Sequence, residues 1–127
     1  MIIGVGSDIV QHDKNSKLLK WDTEGNFPTR ILSNQELAVF NDHNSKDNFI
    51  AGRFAAKEAV LKCLSTGMKD GISLKDIEIV NSASGQPNVQ LSGEVKIICA
   101  NIGINKWHIT ISHSEDFTIA FAIAERT

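Results

Sequence analysis

The segment Arg53-Phe-Ala-Ala-Lys-Glu-Ala-Val-Leu-Lys62 constrains this chain most, because it has a helical period yet carries charge where a helix would be apolar. Wound at about 100° per residue, Ile50, Phe54, Leu61 and Leu64 form one apolar stripe, with Lys57 and Glu58 on its borders. A charge pressed against a core costs several kcal/mol unless a partner or a metal takes it up. A fold that buries this stripe must therefore bring something ionic to its edges.

The rest of the sequence supplies the elements to do so. Residues 2–10 read as a short β-branched strand thinned by Gly4 and Gly6, and glycine inside a strand marks close approach by another backbone or a ligand. Residues 11–30 are polar and mixed in charge, with Lys14, Lys17 and Lys20 at helical intervals. Ser33 and Glu36 form a capping-box signature for a helix over 33–43 that carries Leu37 and Phe40. The long helix covers about 46–65 and ends near Thr66-Gly67, glycine being the usual residue past a helix end. Residues 76–80 alternate as a strand, Asn81 to Pro87 supply turn chemistry around Gly85, and 92–102 fit a helix with Val95, Ile98, Cys99 and Ile102 on its apolar face. Two strands follow, 107–112 and 117–124, joined at about 113–116. The last alternates Phe117, Ile119, Phe121 and Ile123 with small residues, so both of its faces are expected to be covered. The order β, helices, β, helix, β-β predicts an α+β fold with a largely antiparallel sheet packed with the long helix. At 127 residues it is expected as a single domain spanning 1–127.

Composition removes several classes of function. A hydrophobic content of 42% and a charged content of 22% are those of a globular protein. A net charge of -2 argues against nucleic-acid binding, whose domains are clearly basic. No apolar run reaches the roughly 20 residues of a membrane span, and the start lacks the features of a secretory leader, so the expected location is the cytoplasm. Cys63 and Cys99 lie in apolar segments and read as reduced core thiols.

The residues with chemical potential are few. Asp8 follows Gly4-Val-Gly-Ser at the end of a buried strand, where it is either a strand-end cap or a ligand. Glu58 sits beside Phe54 and Leu61, a poor place for simple solvation. Two carboxylates from separate elements that converge suit Mg²⁺, which keeps several waters and binds one or two carboxylates plus phosphates. Lys62 follows Glu58 by one turn, a spacing that is also ordinary surface decoration. Arg53 and Lys57 are four apart and repel unless an anion lies near them. With Lys62 they are expected to flank a polyphosphate. Thr66-Gly67 offers a hydroxyl or an amide near such a ligand, or a plain helix cap. His12 and His43 read as surface residues, while His108 and His113 flank the strand 109–112 so that one or both reach a pocket. No zinc spacing, Gly-x-Gly-x-x-Gly or P-loop is present.

Taken together, Gly4-Val-Gly-Ser-Asp8-Ile-Val10, Arg30-Ile-Leu-Ser33 with Glu36, and Gly52-Arg-Phe-Ala-Ala-Lys-Glu-Ala59 with Lys62 resemble the holo-[acyl-carrier-protein] synthase family of small bacterial 4′-phosphopantetheinyl transferases. Thr66-Gly67, Asp76-Ile-Glu-Ile79, Gly85-Gln-Pro87 and His108-Ile-Thr-Ile-Ser-His113 extend the likeness, which runs from about residue 2 to 124. The resemblance implies transfer of the 4′-phosphopantetheine arm of coenzyme A to a serine of apo-acyl carrier protein, in support of fatty acid biosynthesis. It implies Asp8 and Glu58 as Mg²⁺ ligands facing the pyrophosphate, and Lys62 as a phosphate contact that assists the leaving group. Arg53, Lys57, Thr66, Gly67 and His108 match positions near the coenzyme A phosphates or nucleotide. Family members form trimers with active sites between subunits. Gln11 stands where the family is acidic and Gln86 where it has lysine. Lys14, Lys17, Lys20 and Arg30, diluted by Asp13, Asp22 and Glu24, replace an arginine-rich segment that docks the carrier, and lysine lacks arginine's bidentate fork.

Two other readings fit some of these residues. A small metal-dependent nucleotide phosphohydrolase would use the same carboxylates and cations, and a non-catalytic trimer would bind carrier protein or nucleotide through a decayed site. The long interval from Asp8 to Glu58 counts against the first, and the presence of Asp8, Glu58 and Lys62 together against the second.

Overall fold

The computed structural model describes residues 1–14, 16, 18–20, 27–64 and 71–127. Helix α3 (Lys46–Cys63) is its axis. A three-stranded antiparallel sheet lies against it, in the order β1 (Ile2–Gln11), β5 (Phe117–Glu125), β4 (Lys106–His113). The antiparallel hairpin β2 (Ile77–Asn81) and β3 (Pro87–Leu91) forms a second sheet. The short helix α1 (Phe27–Ile31) and α2 (Asn34–Asp42) precede α3, and α4 (Gly93–Ile102) follows the hairpin. The architecture is α+β with antiparallel pairing in both sheets, as the sequence order predicts. Among the described residues no helix is long and apolar enough to cross a membrane.

The sheet meets α3 so closely because its inward face is small. In the β1–β5 register Gly4 opposes Ala124, Gly6 opposes Ala122 and Asp8 opposes Ala120. A Cβ at Gly4 would run into the carbonyl oxygen of Cys63, and one at Gly6 into that of Ala59. The two glycines thus mark the approach of the helix backbone. Ala55, Ala56 and Ala59 answer them from the helix side, all fully buried. Asp8 is the next inward residue, and Lys62 of the helix pairs with it.

Three expectations need correction. The first concerns α3, which is buried nearly all round rather than along one stripe. Arg53 and Lys57 lie in the interior, while Glu58 and Lys62 reach the surface. The second concerns β5. Thr118, Ala120, Ala122 and Ala124 are its buried residues, whereas Phe117, Ile119 and Phe121 are 40–48% exposed. Among the described residues only one face of the strand is covered, because the close helix leaves room for nothing larger than alanine or threonine. The third is β3, a strand absent from the sequence reading. It begins at Pro87 directly after the turn, in which Ser82 and Gln86 pair and Gly85 adopts φ 87°.

The capping box of α2 forms as expected: Ser33 Oγ accepts from Glu36 N and Glu36 Oε1 accepts from Ser33 N. Cys63 and Cys99 are free and buried, and burial pushes both thiols up to about 11.

Candidate active site

Strand β1 and the last turns of α3 bring Asp8, Glu58 and Lys62 together. Lys62 Nζ donates to Asp8 Oδ1 at 3.1 Å and to the Ser7 carbonyl at 2.9 Å. The Asp8 side chain is 18% exposed and that of Lys62 55%, so this ion pair is open to solvent and contributes little to stability. Glu58 holds its proton more tightly than an ordinary glutamate. Burial is the main cause and the Asp8 charge adds to it, while Lys62 opposes both. Two carboxylates thus repel across a gap that a single ammonium only partly neutralises. A cavity of about 360 Å³, lined by Asp8, Lys62 and the β1 and β5 residues around them, opens beside this group.

Arg53 does not belong to that cluster. It precedes Lys62 by nine residues, about two and a half helical turns, which puts the two on opposite sides of α3. The Arg53 guanidinium lies over the Phe49 ring at 4.5 Å, and its Nε is 3.9 Å from Glu36 Oε2. That Nε is buried and has no hydrogen-bond partner among the described residues. Burial lowers the Arg53 pKa despite Glu36 nearby. The side chain lines a second cavity, of about 350 Å³, together with His43, Gly52, Gly85, Pro87 and His113. Gly52 makes room for the His113 ring, since a Cβ there would stand 3.1 Å from His113 Cε1.

Lys57 is a correction. Its ammonium is fully buried and donates to Glu36 Oε1 at 2.7 Å, to the Leu74 carbonyl at 2.8 Å and to the Ile77 carbonyl. All three of its hydrogens are used, so the chain itself supplies the anion that the sequence demanded, and Lys57 has no donor left for a polyphosphate. Glu36 completes this knot by accepting from Ile79 N at 3.0 Å. The capping-box glutamate therefore also ties α2 to α3 and β2.

His108 lines neither of these cavities. It is exposed and lies 3.0 Å from Glu125 Oε1, opposite Ile123 on the sheet face turned away from α3. His113, five residues on, has the other parity and reaches the Arg53 cavity. The sequence held a signal for this: Trp107, Ile109 and Ile111 mark the inward face, and His113 continues it. His12 and His43 are partly buried rather than surface residues. Thr66, Gly67 and Lys17 lie outside the described residues. Among the described residues no group of three or more His, Cys, Asp or Glu side chains is placed to hold a metal.

A family model of the 4′-phosphopantetheinyl transferase superfamily matches residues 4–122. The chain belongs to that superfamily. Within it, the chain is 43% identical over 125 residues to the holo-[acyl-carrier-protein] synthase of Clostridium kluyveri, covering 98% of this chain and 91% of the relative. The crystal structure of the holo-[acyl-carrier-protein] synthase from Neisseria meningitidis superposes with a TM-score of 0.89 at 34% identity, covering 99% of this chain and all of that one. The Bacillus anthracis synthase, solved in complex with CoA (3′,5′-ADP), superposes with a TM-score of 0.79 at 34% identity, covering 100% of this chain and 99% of that one. The transferase fold thus accounts for the whole chain, with both cavities inside the matched region.

Proposed function

We propose that this single-domain transferase moves 4′-phosphopantetheine from coenzyme A to a serine of apo-acyl carrier protein in the cytoplasm, supplying carrier for fatty acid biosynthesis. The observation that carries the reading is the meeting of Asp8, Glu58 and Lys62 at the edge of α3. The serine oxygen attacks the phosphorus bearing the pantetheine arm, the pyrophosphate bridge breaks, and adenosine 3′,5′-bisphosphate departs. The serine proton goes to solvent or a nearby base. Charge grows on the leaving phosphate as the bridge opens, and the Lys62 ammonium stands where it can offset it.

Mg²⁺ fits this site on the chemistry of the donors. Asp8 and Glu58 are hard oxygen ligands, their mutual repulsion favours a cation between them, and one or two carboxylates beside a phosphate is this ion's usual protein environment. When bound it neutralises charge on the pyrophosphate. Asp8 and Glu58 would hold it, with Lys62 alongside.

Arg53 and His113 receive the nucleotide end of coenzyme A, and they do so from a neighbouring chain. The two cavities lie on opposite sides of α3, so one chain offers each substrate molecule only half a site. A homotrimer, as the family resemblance implies, completes it. The sheet supplies a surface for that assembly, because Val5, Ile9, Phe117, Ile119 and Phe121 are 40–62% exposed. An apolar face of this kind marks an interface. Lys14 and Arg30, both exposed, offer cations to an acidic carrier protein.

Incubating the protein with coenzyme A, Mg²⁺ and apo-acyl carrier protein, then weighing the carrier, tests the reading. The expected result is a gain of one phosphopantetheine, lost in a folded Glu58→Gln variant. An unmodified carrier, with coenzyme A hydrolysed or merely bound, contradicts it and points to the phosphohydrolase or the binding module.

A further inference from the structure

Thr118 is fully buried, yet its hydroxyl lies between two imidazoles, 2.6 Å from His12 Nε2 and 2.7 Å from His113 Nδ1. The three side chains come from the ends of β1, β5 and β4, and Thr118 is the register partner of His113. The remaining partner fixes the direction of the chain. His12 Nδ1 is 3.0 Å from the Glu115 carbonyl oxygen, which can only accept, so Nδ1 carries the hydrogen and a neutral His12 has a bare Nε2. The Thr118 hydroxyl must then donate to His12. Its oxygen is left to accept from His113 Nδ1–H, which leaves Nε2 of His113 bare on the side of Gly52 and the Arg53 cavity.

We propose that His12 and Thr118 are positioning residues for His113, holding its ring and its tautomer so that Nε2 meets the ligand of the Arg53 cavity as a hydrogen-bond acceptor. The functional half of this statement rests on coenzyme A binding in that cavity. Burial lowers the proton affinity of His113, with His12, Arg53 and His43 adding to the effect, so the ring stays neutral at neutral pH and its tautomer matters. A free imidazole could swing and exchange tautomers. The buried hydroxyl removes both freedoms, in the way that the partner of one ring nitrogen sets the role of the other.

Imidazole nitrogen NMR on the full chain at neutral pH reads the tautomer directly, and steady-state kinetics reads its consequence. His113 is expected as the Nδ1–H tautomer. Thr118→Val, which keeps the shape and removes the hydroxyl, is expected to populate the Nε2–H form and raise the KM for coenzyme A several-fold at unchanged kcat. Thr118→Ser restores both. His12→Ala serves as a second variant: it frees the hydroxyl to donate to His113 and so mixes the tautomers. A wild-type His113 in the Nε2–H form, or a tautomer unmoved by Thr118→Val and His12→Ala, overturns the relay. A tautomer that shifts while the KM stays put upholds the relay and overturns the placement of coenzyme A in this cavity.

Discussion

In the proposed reaction Glu58 is a metal ligand, and its environment sets a pH signature. Its proton is held above the ordinary carboxylate range by burial first and by Asp8 second, with Lys62 opposing. A metal ion must displace that proton to bind. The acid limb of kcat/KM is therefore expected above the roughly 4 to 4.5 of a free carboxylate, and it should move to lower pH as Mg²⁺ is raised. A limb that ignores Mg²⁺ contradicts Glu58 as a metal ligand. In the sequence Asp8 and Lys62 each had an ordinary alternative, a strand-end cap and a surface ion pair, whereas Glu58 stood out as a charge set against apolar neighbours, where solvation alone is a poor explanation. Lys57 carried the same signal for a different reason, since an internal carboxylate can satisfy a buried ammonium as well as a phosphate can. Only the position of Glu36 in space separates the two cases. The histidines show the opposite failure: strand parity distinguished His113 from His108, but only once the inward face had been identified.

At the scale of elements, one buried ion pair joins α2, α3 and β2. Glu36 accepts from Lys57, from Ile79 N and from Ser33 N, so removing the ammonium strands a carboxylate in the interior. Lys57→Met is expected to cost about 3 to 5 kcal/mol, read as a fall in the urea midpoint, and adding Glu36→Gln should recover part of the loss. A Lys57→Met variant as stable as the wild type would show that the knot contributes nothing. Helices α2, α3 and α4 and strands β1, β2, β4 and β5 could be read from period and caps, whereas the five-residue α1 was too short to show a period. β3 could not, because Pro87 belongs both to the turn and to the strand it begins, a place where proline is tolerated. The inverted face of β5 escaped for a related reason. Large apolar residues ordinarily point inward, but here Gly4, Gly6 and the alanines admit a helix backbone so close that only small side chains fit between.

For the whole molecule, the sequence told which residues need an ionic partner but not that they divide between two sides of α3. The Asp8–Glu58–Lys62 group and the Arg53–His113 cavity are separated by about half a helical rotation as well as by the length of the intervening turns. In the proposed trimer the outward apolar face of the sheet would join half-sites from different chains. Subunit mixing tests this most directly. Glu58→Gln chains and Arg53→Gln chains, each inactive alone at coenzyme A below its KM, are dissociated, combined in equal amounts and reassembled, and the mass of the carrier protein is followed. Activity is expected to return to roughly a quarter of the wild-type rate, the statistical share of interfaces in a three-membered ring that join two intact half-sites. A mixture as inactive as its components, with mixed trimers shown to have formed, would contradict a site shared between chains.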